Sequence, residues 1–413
     1  MTTAKELIES RLSRFEFIAM VSMLMAVTAL ATDMMLPAFG VMREHFGVAA
    51  DSNALAPVVT FFFLGFAVGQ LLLGPMSDAF GRKPLVYGGL AIYIVAAIAA
   101  TFATTLPFLF AVRFLGGVGA AGVRVAAIPI VRDAYVGQQM AKVMSFIMAV
   151  FILVPVVAPT VGAIVLALGT WETIFWSIAL FGFVAGLWSL RMPETLAPDR
   201  RIPLSYRDLS HSFSVVVTNR FTMGLTLGRS LLFGFFASYL ASSQLIIDDV
   251  FDLDAWFPLI FAAWASVLGI ALLLNTRLLD RFPLRSILRW VLNVYVVFSL
   301  GFFATALATG GTPPFWLFFV SLIPLVACHA LIIPNLTSAS MIPMGAVAGT
   351  ATAVVGALAP LLGAIIAAGI DLQYDGTILP LATASAVLSV LAYGFYRWSD
   401  AVWERETAGH DTA

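Results

Sequence analysis

Long apolar stretches follow one another along this chain, separated by short polar breaks. Twelve are legible, near 15–39, 54–75, 84–104, 107–130, 142–168, 172–190, 217–246, 255–275, 286–308, 314–335, 346–370 and 377–398. Each approaches or exceeds the about 20 residues that a helix needs to cross the ~30 Å hydrocarbon core of a bilayer. Only helices and closed barrels satisfy their own backbone polar groups at that depth. The runs are continuous, without the period-2 alternation of barrel strands. The pattern predicts an all-α membrane protein with twelve transmembrane helices.

The longest polar break, 191–220, parts the runs into two sets of six. Two other breaks match at a constant offset. The first reads GPMSDAFGRK (74–83) and the second contains LLDRFPLR (278–285), so Asp78, Phe80 and Lys83 correspond to Asp280, Phe282 and Arg285. The expected organisation is two pseudo-symmetric six-helix bundles, 1–192 and 217–413, joined by a cytoplasmic linker at 193–216. Parallel repeats of this kind place a substrate site between the halves, near mid-membrane.

Composition agrees with the pattern. Of 413 residues 61% are hydrophobic and 11% charged, against about 25% charged in a soluble domain. The net charge of −1 hides an asymmetry. Even-numbered breaks hold Arg82, Lys83, Arg132, Lys142, Arg191, Arg200, Arg201, Arg207, Arg220, Arg277, Arg281, Arg285 and Arg289, with Arg397 and Arg405 at the end of the last run. Odd-numbered breaks hold Glu44, Asp51, Glu172, Asp248, Asp249, Asp252, Asp254, Asp371 and Asp375, with Arg43 as their one strong base. The excess of Lys and Arg on one side places even loops and both termini in the cytoplasm. No basic tail points to nucleic acid. The first run follows Lys5, Arg11 and Arg14 as a secretory leader would, but it is too long and lacks a small-residue cleavage site, so an uncleaved helix is expected. The lone Cys328 excludes an intramolecular disulfide.

Charges inside the runs are the candidate chemistry. Asp33 lies in the segment ATDMMLP, and a carboxylate at membrane depth costs about 2.5–3.5 kcal/mol on insertion scales. It is read first as a proton carrier; capping the end of its helix before Pro37 is the alternative. Arg113 comes about six residues into the fourth run, at a depth similar to Asp33 if both runs are helical. It is read as an exchangeable partner of that carboxylate, or else as a fixed ion pair. Arg124 follows three turns later on the same face, with Gly117 and Ala120 between, and either faces a cavity or snorkels toward Arg132 and Asp133. Arg229 poses the same question in the seventh run. Gln70, Asn293, Tyr295, His329 and Asn335 are polar groups in apolar runs, each more often a satisfied interhelical hydrogen bond than a ligand. His329 is ranked behind Asp33 as a proton carrier.

These motifs carry a family resemblance. GPMSDAFGRKP resembles the signature between helices 2 and 3 of the major facilitator superfamily. ATDMMLP, RFLGGVGAAG, IVRDAY and VPVVAPTVG resemble the twelve-helix drug/proton antiporters, in particular the bicyclomycin/chloramphenicol-resistance branch. Val154, Ala158, Ala163 and Ala79 depart from that pattern. The resemblance implies a major facilitator fold and a proton-coupling role for Asp33 and Arg113; Arg124, Arg229, Met25, Gln70, Phe236 and His329 are the expected cavity residues. It implies a gating motif at Gly74, Asp78, Gly81 and Arg82: the glycines are expected in tight turns, and Asp78 is expected to accept from backbone N–H groups near 345–347. Its fifth-helix motif covers Pro155, Pro159 and Gly162; the two prolines each remove a backbone donor and are expected to bend that helix. The expected function is proton-driven export of small amphiphilic compounds across a bacterial inner membrane, by a monomer without cofactor. Arg-rich cavity charge favours neutral or anionic substrates over lipophilic cations. Metabolite transport in either direction and a non-transporting sensor are the alternatives. No phosphate-binding loop, catalytic constellation or metal cluster stands out.

Overall fold

In the computed structural model residues 4–49 and 52–410 are described; Asp51 lies outside them. Among these residues twelve helices are long and apolar enough to cross a membrane. They are α1 (Arg14–Asp33), α2 (Pro57–Phe80), α3 (Arg82–Ala100), α4 (Leu106–Ala134), α5 (Gly137–Leu168) and α6 (Trp171–Ser189). The second set is α7 (Arg220–Asp249), α8 (Phe257–Arg281), α9 (Leu284–Ala308), α10 (Phe315–Ser340), α11 (Ala348–Asp371) and α12 (Leu379–His410).

Local chemistry sets several ends. The Ser13 side chain accepts from the Glu16 amide to start α1, and Asn219 accepts from Thr222 to start α7, as N-caps do. Thr170 and Thr173 form a reciprocal capping box at α6. Helix α1 stops at Asp33, earlier than the apolar run, because Pro37 has no N–H to give the Asp33 carbonyl. The chain turns through a 3-10 segment, Leu36–Ala38, into a short helix, Phe39–His45.

The chain forms two compact units. The first comprises Met1–Val48, Pro57–Ser205 and Trp256–Ala262, the second Ala49–Ala56, Tyr206–Ala255 and Ala263–Ala413. Within the first, α2 and α3 pack on α4, α1 on α4, α5 and α6, and α3 on α6. Within the second, α7 packs on α10, α11 and α12, and α9 on α10 and α12. Under an offset of six helices the contacts α1·α4, α1·α5, α1·α6, α3·α4 and α3·α6 recur as α7·α10, α7·α11, α7·α12, α9·α10 and α9·α12. The internal packing therefore repeats, as the matching loops imply. The expected linker is partly built into the first unit, since residues up to Ser205 belong to it.

Candidate functional site

Asp33 is the last residue of α1 and is 4% exposed. That end of a helix is the negative end of its dipole, where a carboxylate is unwelcome, so Asp33 is not a cap. The Thr32 hydroxyl lies 2.9 Å from Asp33 Oδ1 and 3.0 Å from the Ala29 carbonyl, so its single proton is shared. Just behind, Gly162 of α5 faces the Met34 carbonyl so closely that a Cβ there would overlap it. Pro155 and Pro159 sit inside the same continuous helix, each removing one backbone donor.

Arg113 reaches the same helix end without touching the carboxylate. Its Nη2 donates to the Ala31 carbonyl at 3.0 Å and its Nε to the Val58 carbonyl at 3.2 Å. Its guanidinium lies 4.5 Å from the Phe62 ring centroid and 6.0 Å from that of Phe175. The carbonyls in the last turn of a helix lack helical donors, and Arg113 supplies one. No ion pair joins Arg113 to Asp33 among the described residues, which corrects the fixed-pair expectation. The physical reason is that the orphan carbonyl of Ala31 and the aromatic faces already hold the guanidinium. Tyr93 of α3 adds a hydroxyl bond to the Val27 carbonyl at 3.2 Å.

Arg124 is half-buried, its guanidinium 5.7 Å from both the Phe66 and Phe151 rings. Among the described residues no hydrogen bond or ion pair joins it. It does not snorkel to Asp133, whose carboxylate takes Arg82 Nε at 3.3 Å and the Thr195 hydroxyl at 3.1 Å. Gln70 is half-buried one turn beyond Phe66 on α2. Met25, expected at a cavity wall, is 1% exposed and lies in the packed core.

In the second unit Arg229 is committed elsewhere. Nη1 donates to the Thr337 hydroxyl at 2.6 Å and Nη2 to the Val355 carbonyl at 2.7 Å. The expected cavity cation is thus a bridge from α7 to α10 and α11, held there by acceptors that a buried guanidinium needs. His329 is buried and stacks on Phe236 at 4.5 Å with an 18° interplanar angle. Its Nδ1 is buried without a hydrogen-bond partner. Asn335 pairs with Asn275 of α8 through two amide bonds of 2.8 and 3.2 Å.

Of the signature residues, Gly81 has φ +108°, a conformation that favours glycine. Gly74 does not turn the chain; it lies within α2, because the helix continues through Pro75 to Phe80. Asp78 and Arg82 form an ion pair of 2.5 Å, and Arg82 also donates to Ser77 at 3.0 Å. The backbone amides of Arg82 and Lys83 both donate to Glu194 at 3.0 Å. This carboxylate caps the positive end of α3.

A family profile described as Major Facilitator Superfamily matches residues 21–401. The chain belongs to this superfamily. A Haemophilus influenzae protein named bicyclomycin resistance protein homolog is 28% identical over 388 residues, 93% of this chain and 96% of that one. The multidrug resistance protein MdtL of Salmonella typhimurium is 32% identical over 204 residues, 48% of each chain. The crystal structure of a D-xylose-proton symporter superposes with a TM-score of 0.76 at 14% identity, covering 93% of this chain and 98% of that one. That likeness is one of fold.

This superfamily member is a multi-pass membrane transporter rather than an enzyme, and the resemblance to drug-resistance members stands. Sequence reasoning brought Asp33 and Arg113 to one region and singled out Gly81, which takes a positive φ, and Arg82, which pairs with Asp78. It missed Glu194, whose only sequence signal is that an exposed helix start after Gly81 needs an acceptor, and it did not pair Asp133 with Arg82. It also missed Asp371 as a buried group. Asp371 is 6% exposed and accepts from Ser238 at 2.5 Å and Ser242 at 3.0 Å.

Proposed function

We propose that this transporter is a proton-coupled antiporter that exports small amphiphilic compounds across a bacterial inner membrane by alternating access. The observation that carries the reading is Asp33: a buried carboxylate in a membrane helix, at the wrong end for a cap, with a shared hydroxyl proton and, among the described residues, no cation paired to it. Intramembrane carboxylates of that kind mark proton and substrate pathways. The names of the bicyclomycin- and multidrug-resistance relatives support the substrate class. The loop charges support cytoplasmic termini.

Arg113 fixes the end of α1, so a proton arriving at Asp33 alters charge at a helix end already anchored to α2 and α4. Substrate is met by Arg124, a guanidinium between two phenyl rings and without an ion pair. Such a group favours anionic or neutral aromatic compounds, since a cation would meet like charge in a low-dielectric site. Asp78 and Arg82 serve the cytoplasmic gate, with Glu194 holding the start of α3.

The test is flux in proteoliposomes under an imposed pH gradient. Wild-type protein extrudes a phenicol-type drug against its gradient when protons flow the other way. Asp33→Asn loses that active flux while remaining folded and inserted; full pH-driven transport by this variant sinks the antiport reading. In the same assay Arg124→Ala weakens competition by aromatic acids by about 2- to 30-fold, the range of about 0.5–2 kcal/mol for a cation–π and charge contact. Ethidium gains where the acids lose; equal inhibition by ethidium before and after the substitution overturns the charge argument.

A further inference from the structure

The second unit contains a buried carboxylate that the proposed export cycle does not use. Asp371 closes α11, and two serines one turn apart on α7, Ser238 and Ser242, both donate to its Oδ1, at 2.5 and 3.0 Å. Asn53 of the stretch Ala49–Ala56, which packs within this unit, donates its Nδ2 to Ser242 Oγ at 2.8 Å. An amide nitrogen can only donate, so the Ser242 oxygen accepts there and its one proton is directed at Asp371. The chain Asn53–Ser242–Asp371 therefore has a fixed polarity, ending on Oδ1.

The other oxygen is different. Among the described residues, Asp371 Oδ2 is buried and has no hydrogen-bond partner, and neither has the buried Asn53 Oδ1. Removing an ionised carboxylate from water with one oxygen undonated is costly. The residue also sits at the negative end of α11. The ends of the two helices carry Tyr239, Asp248 and Asp249 on α7, and Tyr374 and Asp375 just after α11. Residues 248–256 and 371–378 hold six aspartates and no Lys, Arg or His. The first turns of α10 and α12 bring no ionisable side chain.

We infer that Asp371 is a second proton site, neutral in this state with its proton on Oδ2, and that Ser238, Ser242 and Asn53 form the site that holds it. Protonation turns the bare Oδ2 into a donor and leaves Oδ1 as the carbonyl oxygen that two serines require. Loss of the proton leaves a buried anion between α7 and α11. The two carboxylates then occupy matching interfaces, Asp33 beside α1·α5 and Asp371 at α7·α11. Use of the second proton in transport rests on the antiport reading; its presence does not.

The experiment is infrared difference spectroscopy of the purified full chain near neutral pH, without transport. In an Asp33→Asn background the carbonyl stretch of a protonated carboxylic acid remains, and adding Asp371→Asn removes it. Ser238→Ala, in the same background, shifts that band to higher frequency because Oδ1 loses one donor. Identical spectra with and without Asp371→Asn show an ionised Asp371 and overturn the inference. Where the double variant fails to fold, an unshifted band in Ser238→Ala overturns it equally. Failure of the antiport reading would appear separately, as pH-driven flux retained by Asp33→Asn.

Discussion

In the first unit α2 and α4 meet backbone to backbone; in the second the corresponding helices, α8 and α10, meet through side chains. A Cβ on Gly117 of α4 would overlap the Phe62 carbonyl of α2, and one on Gly65 of α2 would overlap the Phe114 carbonyl of α4. Small residues allow such approach between membrane helices. Helices α8 and α10 instead share the Asn275–Asn335 amide pair and a bond from Trp264 Nε1 to the Phe319 carbonyl at 3.3 Å. The lipid offers no hydrophobic drive for helix association, which leaves close packing and interhelical hydrogen bonds; the α2–α4 contact shows the first and the α8–α10 contact the second. The guanidiniums differ in parallel. Arg113 spends its donors on α1 and α2 carbonyls beside the proposed proton carrier, while Arg229 ties α7 to α10 and α11. A repeated fold thus carries unrepeated chemistry, and the first unit concentrates the proposed coupling groups, Asp33 and Arg113, around its tightest contacts.

The strongest way to break this contrast is to enlarge a contact glycine. Gly117→Leu forces α2 and α4 apart, and overpacking of this kind costs about 1–3 kcal/mol, occasionally more. The yield of monodisperse protein and its unfolding temperature in detergent should both fall. Gly301→Leu on α9, where nothing lies within 4 Å of an added Cβ, should leave both unchanged. Equal effects would mean that backbone contact is not what distinguishes the first unit.

A smaller effect comes from the start of α3. Glu194 accepts from the amides of Arg82, Lys83 and Leu196. The repeat equivalent, α9, begins at Pro283 with no side-chain cap. Glu194→Gln keeps an acceptor but removes the charge, which is worth about 0.3–1 kcal/mol at exposed helix ends and up to about 2 when partly buried. Amide hydrogen exchange at Arg82, Lys83 and Leu85 should quicken by up to about 30-fold, with the first turn of α9 unaffected. No change at those amides would reduce Glu194 to a neutral acceptor.

How much of this was legible follows from what each feature needs. The twelve spans require only length and continuity of apolar character, so they were readable, apart from ends such as that of α1 before Pro37. Asp33 was readable because a charge inside a run stands out alone. Asp371 was not, because it falls one residue beyond its run and looks like a loop acid; its burial depends on Ser238 and Ser242 being more than a hundred positions away. Arg113 and Arg229 were readable as charges but not as bridges, since their acceptors are mostly backbone carbonyls, which every residue offers. Gly74 was misread because a glycine beside proline resembles a turn, while packing keeps α2 helical through both.

The finest test of the contrast concerns the amide pair. Asn275 and Asn335 are both largely buried and satisfy each other with two hydrogen bonds. Interhelical polar pairs in membranes average about 0.6 kcal/mol in double-mutant cycles, with a maximum of about 1.7. The value is small because an unpaired amide in an unfolded, inserted chain also finds partners. A cycle of Asn275→Ala, Asn335→Ala and the double variant should therefore give a coupling of about 0.6–1.7 kcal/mol. Each single variant strands the surviving amide and should cost more than its share, so the double should be less damaging than the sum of the singles. The same cycle on Gly65→Ala and Gly117→Ala should give a coupling of the same sign for a different reason. Once one substitution has pushed α2 from α4, the second meets space already opened. Zero coupling at the asparagines, with coupling retained at the glycines, would mean that α8 is placed by lipid-facing packing and Trp264 alone.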